Sequence, residues 1–394
     1  RQLSAHEVGH TLGLMHNYAS SISDRASVMD YPHPWVKLNS KGEIDMEDAY
    51  DLGIGEWDKV AINWGYREFA TGTNETVALN TILQQAANRG LRYITDRDAR
   101  ATGGLHPYAH LWDNGADAVA ELNNVMKVRE KALRQFGVRT IREGTPYALL
   151  EDALVPIYLY HRYQAEAVAK LVGGMDYNYA MRGDGQMITN PLPGATQQAA
   201  LDALLATIRP AQLRLPDSLL RLIPPRPAGY SSTPELFSRR TSLSFDALSP
   251  AEAASDLIFS LLFDPARLSR MAQQEATMGG LPLDGMLQTL AGKVFGGARL
   301  KGFEGLIQQQ NEQLLLTYLM ATTMNEQINF AARAIIKKHL TDLKAEIAAK
   351  EKTTTDPLWK GHYQLALQRM EKPELAKPTV HATAPPGAPI GCGE

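Results

Sequence analysis

Cysteine is nearly missing from this chain: Cys392 is the single one in 394 residues. No internal disulfide can form, and no closed multi-cysteine zinc cluster can be built. An uninterrupted apolar stretch of the roughly 18 residues that cross a bilayer is also absent; Leu257 to Phe263 is only a short core run. Charge of one sign is scarce too. The 40 basic and 43 acidic residues leave a formal charge of -3, which excludes the basic footprint of a nucleic-acid binder and the polybasic anchor of a membrane-surface protein. No fixed-period repeat supports a solenoid. With 44% apolar residues in 394 positions, the length prior points to two or three domains with ample cores.

Against this plain background stands the stretch His6-Glu7-Val8-Gly9-His10-Thr11-Leu12-Gly13-Leu14-Met15-His16. Residues four apart share a helix face, so His6 and His10 are placed to offer ring nitrogens to one metal ion, with Glu7 beside them. Gly13 permits the positive φ that ends a helix and reverses the chain, bringing His16 back as a third ligand. The fourth position of a tetrahedral Zn2+ is left for water, whose pKa such an ion lowers to about 7. Glu7 is then the general base that takes the water's proton and passes it to a departing amine. The plain alternative is a helix that merely carries histidines.

A second element follows, Ser27-Val28-Met29-Asp30-Tyr31. Read alone, Met29 and Tyr31 are core residues. Together with the histidine motif, however, the pattern Ser-x-Met-x-Tyr resembles the metzincin class of zinc endopeptidases, in which a Met-turn runs beneath the metal. The resemblance implies one Zn2+ held by His6, His10 and His16, with Glu7 as base and acid and Met29 as the apolar floor. It also implies that Tyr31 reaches the metal or the transition-state oxyanion, as a tyrosine does in the astacin and serralysin branches. Astacins carry a glutamate after the third histidine, whereas this chain has Asn17, read here as a capping or turn residue.

The narrower likeness is to a bacterial group of large metzincin-like metalloproteases with a long helical extension, through the runs Gly13 to Asn17, Trp112 to Gly115 and Asp176 to Tyr179. It implies export to the periplasm or beyond and a peptide or protein substrate. Metzincin folds place a twisted sheet before the motif, and only Arg1 to Ala5 stand there. The expectation is a C-terminal part whose partner is the N-terminal half of its own catalytic domain, and which alone is a weak or inactive peptidase. The competing class is a non-catalytic helical binding or scaffold module that keeps a structural zinc. An amidase or other small-molecule hydrolase would use the same metal chemistry in a closed pocket.

The fold expected is mainly α: the lower half of a metzincin catalytic domain over 1–70, a helical domain over 71–230, a second helical lobe over 231–372, and a flexible Pro/Ala-rich tail over 373–394. In the first segment, Trp57, Val60, Ala61 and Trp64 recur at helical spacing and predict one buried stripe. Helices are predicted around Leu79 to Ala86 with a stop at Gly90, from Ala118 to Gly137, and near 147–171, 196–208, 249–277, 283–295, 303–350 and 356–370, with Pro156 kinking the helix that contains it. A minor hairpin is expected near 176–188, turning at Gly183-Asp184-Gly185. Proline-rich residues 216–234 mark a seam. His106 and His110, four apart and followed by Asp113 and Asp117, offer a second metal site or a lining of the substrate cleft; against this, Pro107 reads as a helix start and Asp113 or Asn114 as the N-cap of the next helix. Asp96-Arg97-Asp98-Ala99-Arg100 reads as a solvated turn or surface ion pairs contributing little, or as a site for a peptide terminus.

Overall fold

The computed structural model describes residues 1–101 and 103–376; the expected tail beyond 376, with Cys392, lies outside the described residues. The chain is mainly helical, with two small antiparallel hairpins among the described residues. In chain order the elements are α1 (Gln2–Thr11), β1 (Lys37–Leu38), β2 (Ile44–Asp45), α2 (Glu56–Tyr66), α3 (Glu75–Asn88), the single turn α4 (Asp96–Ala99), α5 (Ala118–Gln135), α6 (Leu150–Tyr158), α7 (Arg162–Leu171), β3 (Met175–Tyr177) and β4 (Thr189–Pro191). Then follow α8 (Gly194–Thr207), α9 (Pro210–Leu213), α10 (Asp217–Leu220), α11 (Ser249–Leu262), α12 (Pro265–Thr277), α13 (Leu283–Phe295), α14 (Gly302–Met324), α15 (Phe330–Thr353) and α16 (Pro357–Met370).

Two compact units result. The first comprises residues 1–128 and 163–192. Its core gathers Tyr18, Ala19, Tyr31, Ile94, Ala99, Ala109 and Leu111, with Trp112 and Tyr177 packed against them. A smaller cluster joins α2 to α3 through Val60, Ile82 and Ala86. Burying Val60 and Ile82 there contributes about 1.5–3 kcal/mol each. The predicted stripe on α2 is corrected: the buried residues of that helix are Asp58 and Val60, while Trp64 is 45% exposed. Asp58 displaces the expected pattern because its carboxylate serves backbone donors, as described below.

The second unit comprises residues 129–162 and, among the described residues, 193–376. Here α14 packs against α11, α13, α15 and α16, burying Ile307, Leu315 and Leu316. Polar side chains cut the long apolar patterns of the sequence. The run 249–277 divides because Asp264 accepts a hydrogen bond from the Arg267 amide (3.0 Å) and Pro265 starts a new helix. The run 303–350 divides because Asn325 accepts from the Gln327 amide (2.9 Å) and Asn329 caps α15 through the Ala332 amide (2.9 Å). The predicted helix 147–171 breaks after Tyr158, two residues beyond Pro156.

The hairpin expected at 176–188 forms with different limits. Its ladder pairs Met175 with Pro191, Asp176 with Asn190 and Tyr177 with Thr189. The Asp184 carboxylate accepts from the Met181 and Gln186 amides at 2.6 and 2.9 Å, and Gly183 and Gly185 take positive φ. That turn satisfies its own polar groups, so the strands begin farther out. The β1–β2 hairpin, which pairs Lys37 with Asp45 and Leu38 with Ile44, has no clear alternation in the sequence.

Candidate metal centre

The local chain path follows from Gly13. Helix α1 ends with the Leu14 amide donating to the Gly9 carbonyl (3.0 Å) and the Gly13 amide to the His10 carbonyl (2.9 Å), while Gly13 adopts φ +80°. This is a Schellman ending, which an L side chain at Gly13 would strain. The reversal carries residues 16–19 back across the helix, where the Asn17 amide donates to the Met29 carbonyl (2.9 Å) and the Tyr18 amide to the Ile94 carbonyl (2.8 Å).

The three histidines meet as a result. One candidate ligand atom from each of His6, His10 and His16 falls within 4.8 Å of the others. His6 and His16 are buried and His10 partly so. Each Nδ1–H has an acceptor: His6 donates to the Val28 carbonyl (2.7 Å), His10 to the Leu14 carbonyl (3.0 Å), and His16 to the Asp96 carboxylate (2.9 and 3.0 Å). These bonds set the tautomer and leave every Nε2 with a lone pair. The Nε2 atoms of His10 and His16 then face each other at 3.2 Å, a repulsive contact unless a cation lies between them. A tetrahedral Zn2+ bound at about 2.0–2.1 Å sets its ligand atoms about 3.3 Å apart, so the His10–His16 separation fits, and His6 completes a trio spread over no more than 4.8 Å. The buried His6 Nε2 has no hydrogen-bond partner among the described residues. Burial lowers the His6 pKa, with the Val28 hydrogen bond opposing it, which favours the neutral ring that a metal requires.

Met29 lies beneath, 1% exposed. A Cβ built on Gly9 would stand 2.2 Å from its sulfur, so the glycine between the first two histidines is what lets the Met-turn approach α1. The turn is held from below by Asp58, whose carboxylate accepts from Ser27 Oγ (2.6 Å), the Val28 amide (2.8 Å) and the Gly55 amide (2.7 Å). The Trp57 amide donates to the Ala26 carbonyl (2.8 Å), and a Cβ on Gly55 would strike that carbonyl oxygen. An acid three residues after a glycine at a helix start is a capping signal that would have found Asp58 in the sequence.

Tyr31 is buried with its ring centroid 4.4 Å from that of His6 and 5.1 Å from that of His16. Glu7 is exposed on α1 beside His6. A cavity of about 350 Å3 adjoins His6 and Tyr31, with Pro32, Tyr50 and Leu52 among its walls. Asn17, 0% exposed, replaces an ion pair with backbone bonds: its amide donates to the Arg92 carbonyl (2.8 Å), and its oxygen accepts from the Ala19 and Ile94 amides.

Of the charges at 96–100, Asp96 and Arg100 form the expected ion pair, but Asp96 also serves the histidine site. Besides His16 it accepts from Arg100 Nε (2.7 Å), Thr95 Oγ1 (3.1 Å) and Tyr18 Oη (3.3 Å). Its burial raises the carboxyl pKa, but the hydrogen bonds from Arg100 and His16 outweigh this and hold it at about 2. An anion that orients a metal-binding imidazole needs that permanence. No local signal marks Asp96, because it acts on a residue 80 positions away.

The second histidine pair has other work. Residues 106–110 are not helical. His106 Nε2 donates to the Tyr177 carbonyl (2.9 Å) while its Nδ1 accepts from the Tyr108 amide (3.2 Å). His110 lies buried near Glu166 (3.5 Å). The histidine trio is the metal-capable group of this kind among the described residues.

No curated protein and no solved structure matches the chain. The model of one family, described as Met-zincin, matches residues 1–301, more than half of the sequence. With that match and with three converging imidazoles over a buried methionine, the chain belongs to the Met-zincin family, whose chemistry is of the zinc metallopeptidase type.

Proposed function

We propose that this chain is a zinc-dependent endopeptidase that acts in the periplasm or outside the cell. The carrying observation is the shared tautomer of His6, His10 and His16, with every Nδ1–H engaged and one ligand atom of each ring converging on a single metal position. Bound Zn2+ supplies Lewis acidity toward the scissile carbonyl and the attacking water. The Glu7 carboxylate takes the water's proton and delivers it to the departing amine nitrogen. Tyr31, packed against His6 and His16, donates its hydroxyl proton in a hydrogen bond to the developing oxyanion. Met29 and Asp58 keep the floor fixed, and Asp96 holds His16.

The cavity beside His6 and Tyr31 supports a substrate seated along that side. Leu3, Val8, Leu12 and Met15 expose apolar side chains around α1, which supports a covering segment; the metzincin resemblance assigns that place to a strand-rich upper half of the catalytic domain. Among the described residues no helix is long and apolar enough to cross a membrane.

The experiment is zinc analysis of the wild type, His10→Ala and Glu7→Gln, with peptide-library hydrolysis measured on the same proteins. His10→Ala is expected to lose zinc, and Glu7→Gln to keep zinc and lose turnover. Unchanged zinc in His10→Ala rejects the site, and surviving turnover in Glu7→Gln rejects the base. Zinc retention without hydrolysis in the wild type would favour a scaffold with a structural metal.

A further inference from the structure

Asp113 and Asn114 do not cap α5; Asp117 does, accepting from the Val119 and Ala120 amides at 2.9 and 3.0 Å. Both residues are instead more than nine-tenths buried, at 6% and 7% exposure. Asp113 Oδ2 accepts from Ser21 Oγ (2.9 Å), and Asn114 Nδ2 donates to the His33 carbonyl (2.8 Å). Their other oxygens, Asp113 Oδ1 and Asn114 Oδ1, are buried without a hydrogen-bond partner among the described residues. Asp30, next to Met29 and 4% exposed, accepts from the Tyr31 amide (2.7 Å) and from the Ser20 side chain. All three side chains, with Ser20 and Ser21, line one cavity of about 60 Å3.

Two buried carboxyls and an acceptor-only amide oxygen around a small cavity carry a double cost: mutual repulsion and unmet hydrogen-bonding capacity. Arg25 pairs with Asp51 (3.0 Å) and the Asp48 carbonyl. The Lys170 ammonium donates to the carbonyls of Ala99 and Ala109, and its charge favours an ionised Asp113 only enough to offset part of the effect of burial. Burial raises both carboxyls, Asp113 to about 7, and the charge of Asp113 further opposes ionisation of Asp30. A single shared proton relieves one oxygen pair and leaves the amide oxygen unmet. A hard divalent cation offsets the charge of both acids and gives the unpartnered Asp113 Oδ1 and Asn114 Oδ1 a ligand, with water in the cavity completing its shell.

We propose that Asp30, Asp113 and Asn114 form a second, structural site for a hard divalent cation, with Ca2+ as its fitting occupant, which ties the Met-turn to the 112–114 segment. The two segments already meet where the Trp112 amide donates to the Tyr31 carbonyl (2.7 Å). The bound cation adds its charge to that joint and so helps to fix the Met-turn that Asp58 also holds.

The test uses chelator-washed full chain reloaded with one equivalent of zinc. Ca2+ is titrated by calorimetry, and Tb3+ emission is excited through tryptophan, since Trp112 adjoins the site. The expected result is one saturable Ca2+ per chain beyond the zinc, Tb3+ emission that Ca2+ displaces, and a rise in Tm with Ca2+. Asp113→Asn and Asn114→Ala each weaken Ca2+ binding by at least about tenfold, and His10→Ala leaves it unchanged. No saturable binding by the wild type up to about 1 mM Ca2+ overturns the proposal, whatever the variants do. Binding that both Asp113→Asn and Asn114→Ala retain in full, or that His10→Ala abolishes, overturns it equally. Should Asp113→Asn fail to fold, the wild-type stoichiometry and Asn114→Ala decide.

Discussion

Replacing Gly9 by alanine tests whether the glycine between the first two histidines is there for the Met-turn. The backbone at Gly9 is helical, so the substitution by itself stabilises α1 by about 1 kcal/mol. Against this, the new methyl would lie 2.2 Å from Met29 Sδ and 3.2 Å from its Cε. Restoring an ordinary separation of about 3.5 Å requires the sulfur to retreat by roughly 1.3 Å, and Met29 is 1% exposed with little room to go. Overpacking of this kind costs about 1–3 kcal/mol, so Gly9→Ala is expected to be neutral to about 2 kcal/mol destabilising. Met29→Ala alone leaves a cavity and costs about 2–5 kcal/mol. In the double variant the methyl introduced at position 9 enters the vacated space, and the combined loss is smaller than the sum by about 1–3 kcal/mol. The assay is the urea midpoint of the transition that releases zinc, compared across the four proteins. A Gly9→Ala protein stabilised by the full helix-propensity gain would refute the reasoning. So would a double variant whose loss equals the sum of the single losses.

Three further outcomes follow from the geometry. Asp96→Asn removes the anion that orients His16 and is expected to weaken zinc binding about 10–100-fold, read by competition with a chromogenic chelator; unchanged affinity refutes the orienting role. Asn17→Asp keeps the shape but replaces the donor to the Arg92 carbonyl with a buried charge, which should cost about 1–3 kcal/mol in thermal unfolding; a neutral effect refutes the backbone-clamp account. Asp113 is raised in the folded chain to about 7 from the ordinary carboxyl value of 3.8, so between those values the folded state holds a proton that the unfolded state has lost. Its contribution to stability therefore falls as pH rises through that window. In chelator, the stability of Asp113→Asn relative to wild type should climb from about pH 4 to about pH 7, and a flat or falling difference rejects the buried acid.

Much of the metal centre was legible because its rules are local. Helical periodicity joins His6 to His10, Gly13 supplies the positive φ of a Schellman ending, and Met29 lies close enough in sequence to be recognised with them. The helical character of 118–135 and 283–295 was legible for the same reason. The long patterns at 249–277 and 303–350 misled, because apolar spacing persists through Asp264-Pro265 and Asn325 to Asn329 while side-chain caps redirect the backbone. Trp64 misled likewise, since burial on α2 is decided by what packs against it and spacing alone does not reveal that.

By itself the sequence determined which atoms are offered: three imidazoles, one carboxylate and a methionine, in an order that a single helix and turn can bring together. Tertiary structure decided their state. Val28, Leu14 and Asp96 choose the tautomer of each ring, Asp58 clamps the Met-turn, and Asn17 ties residue 17 to residues 92–94. All but the His10–Leu14 bond join residues 22 or more positions apart. A hydrogen bond depends on where donor and acceptor lie in space, and over such separations only the folded chain sets that position.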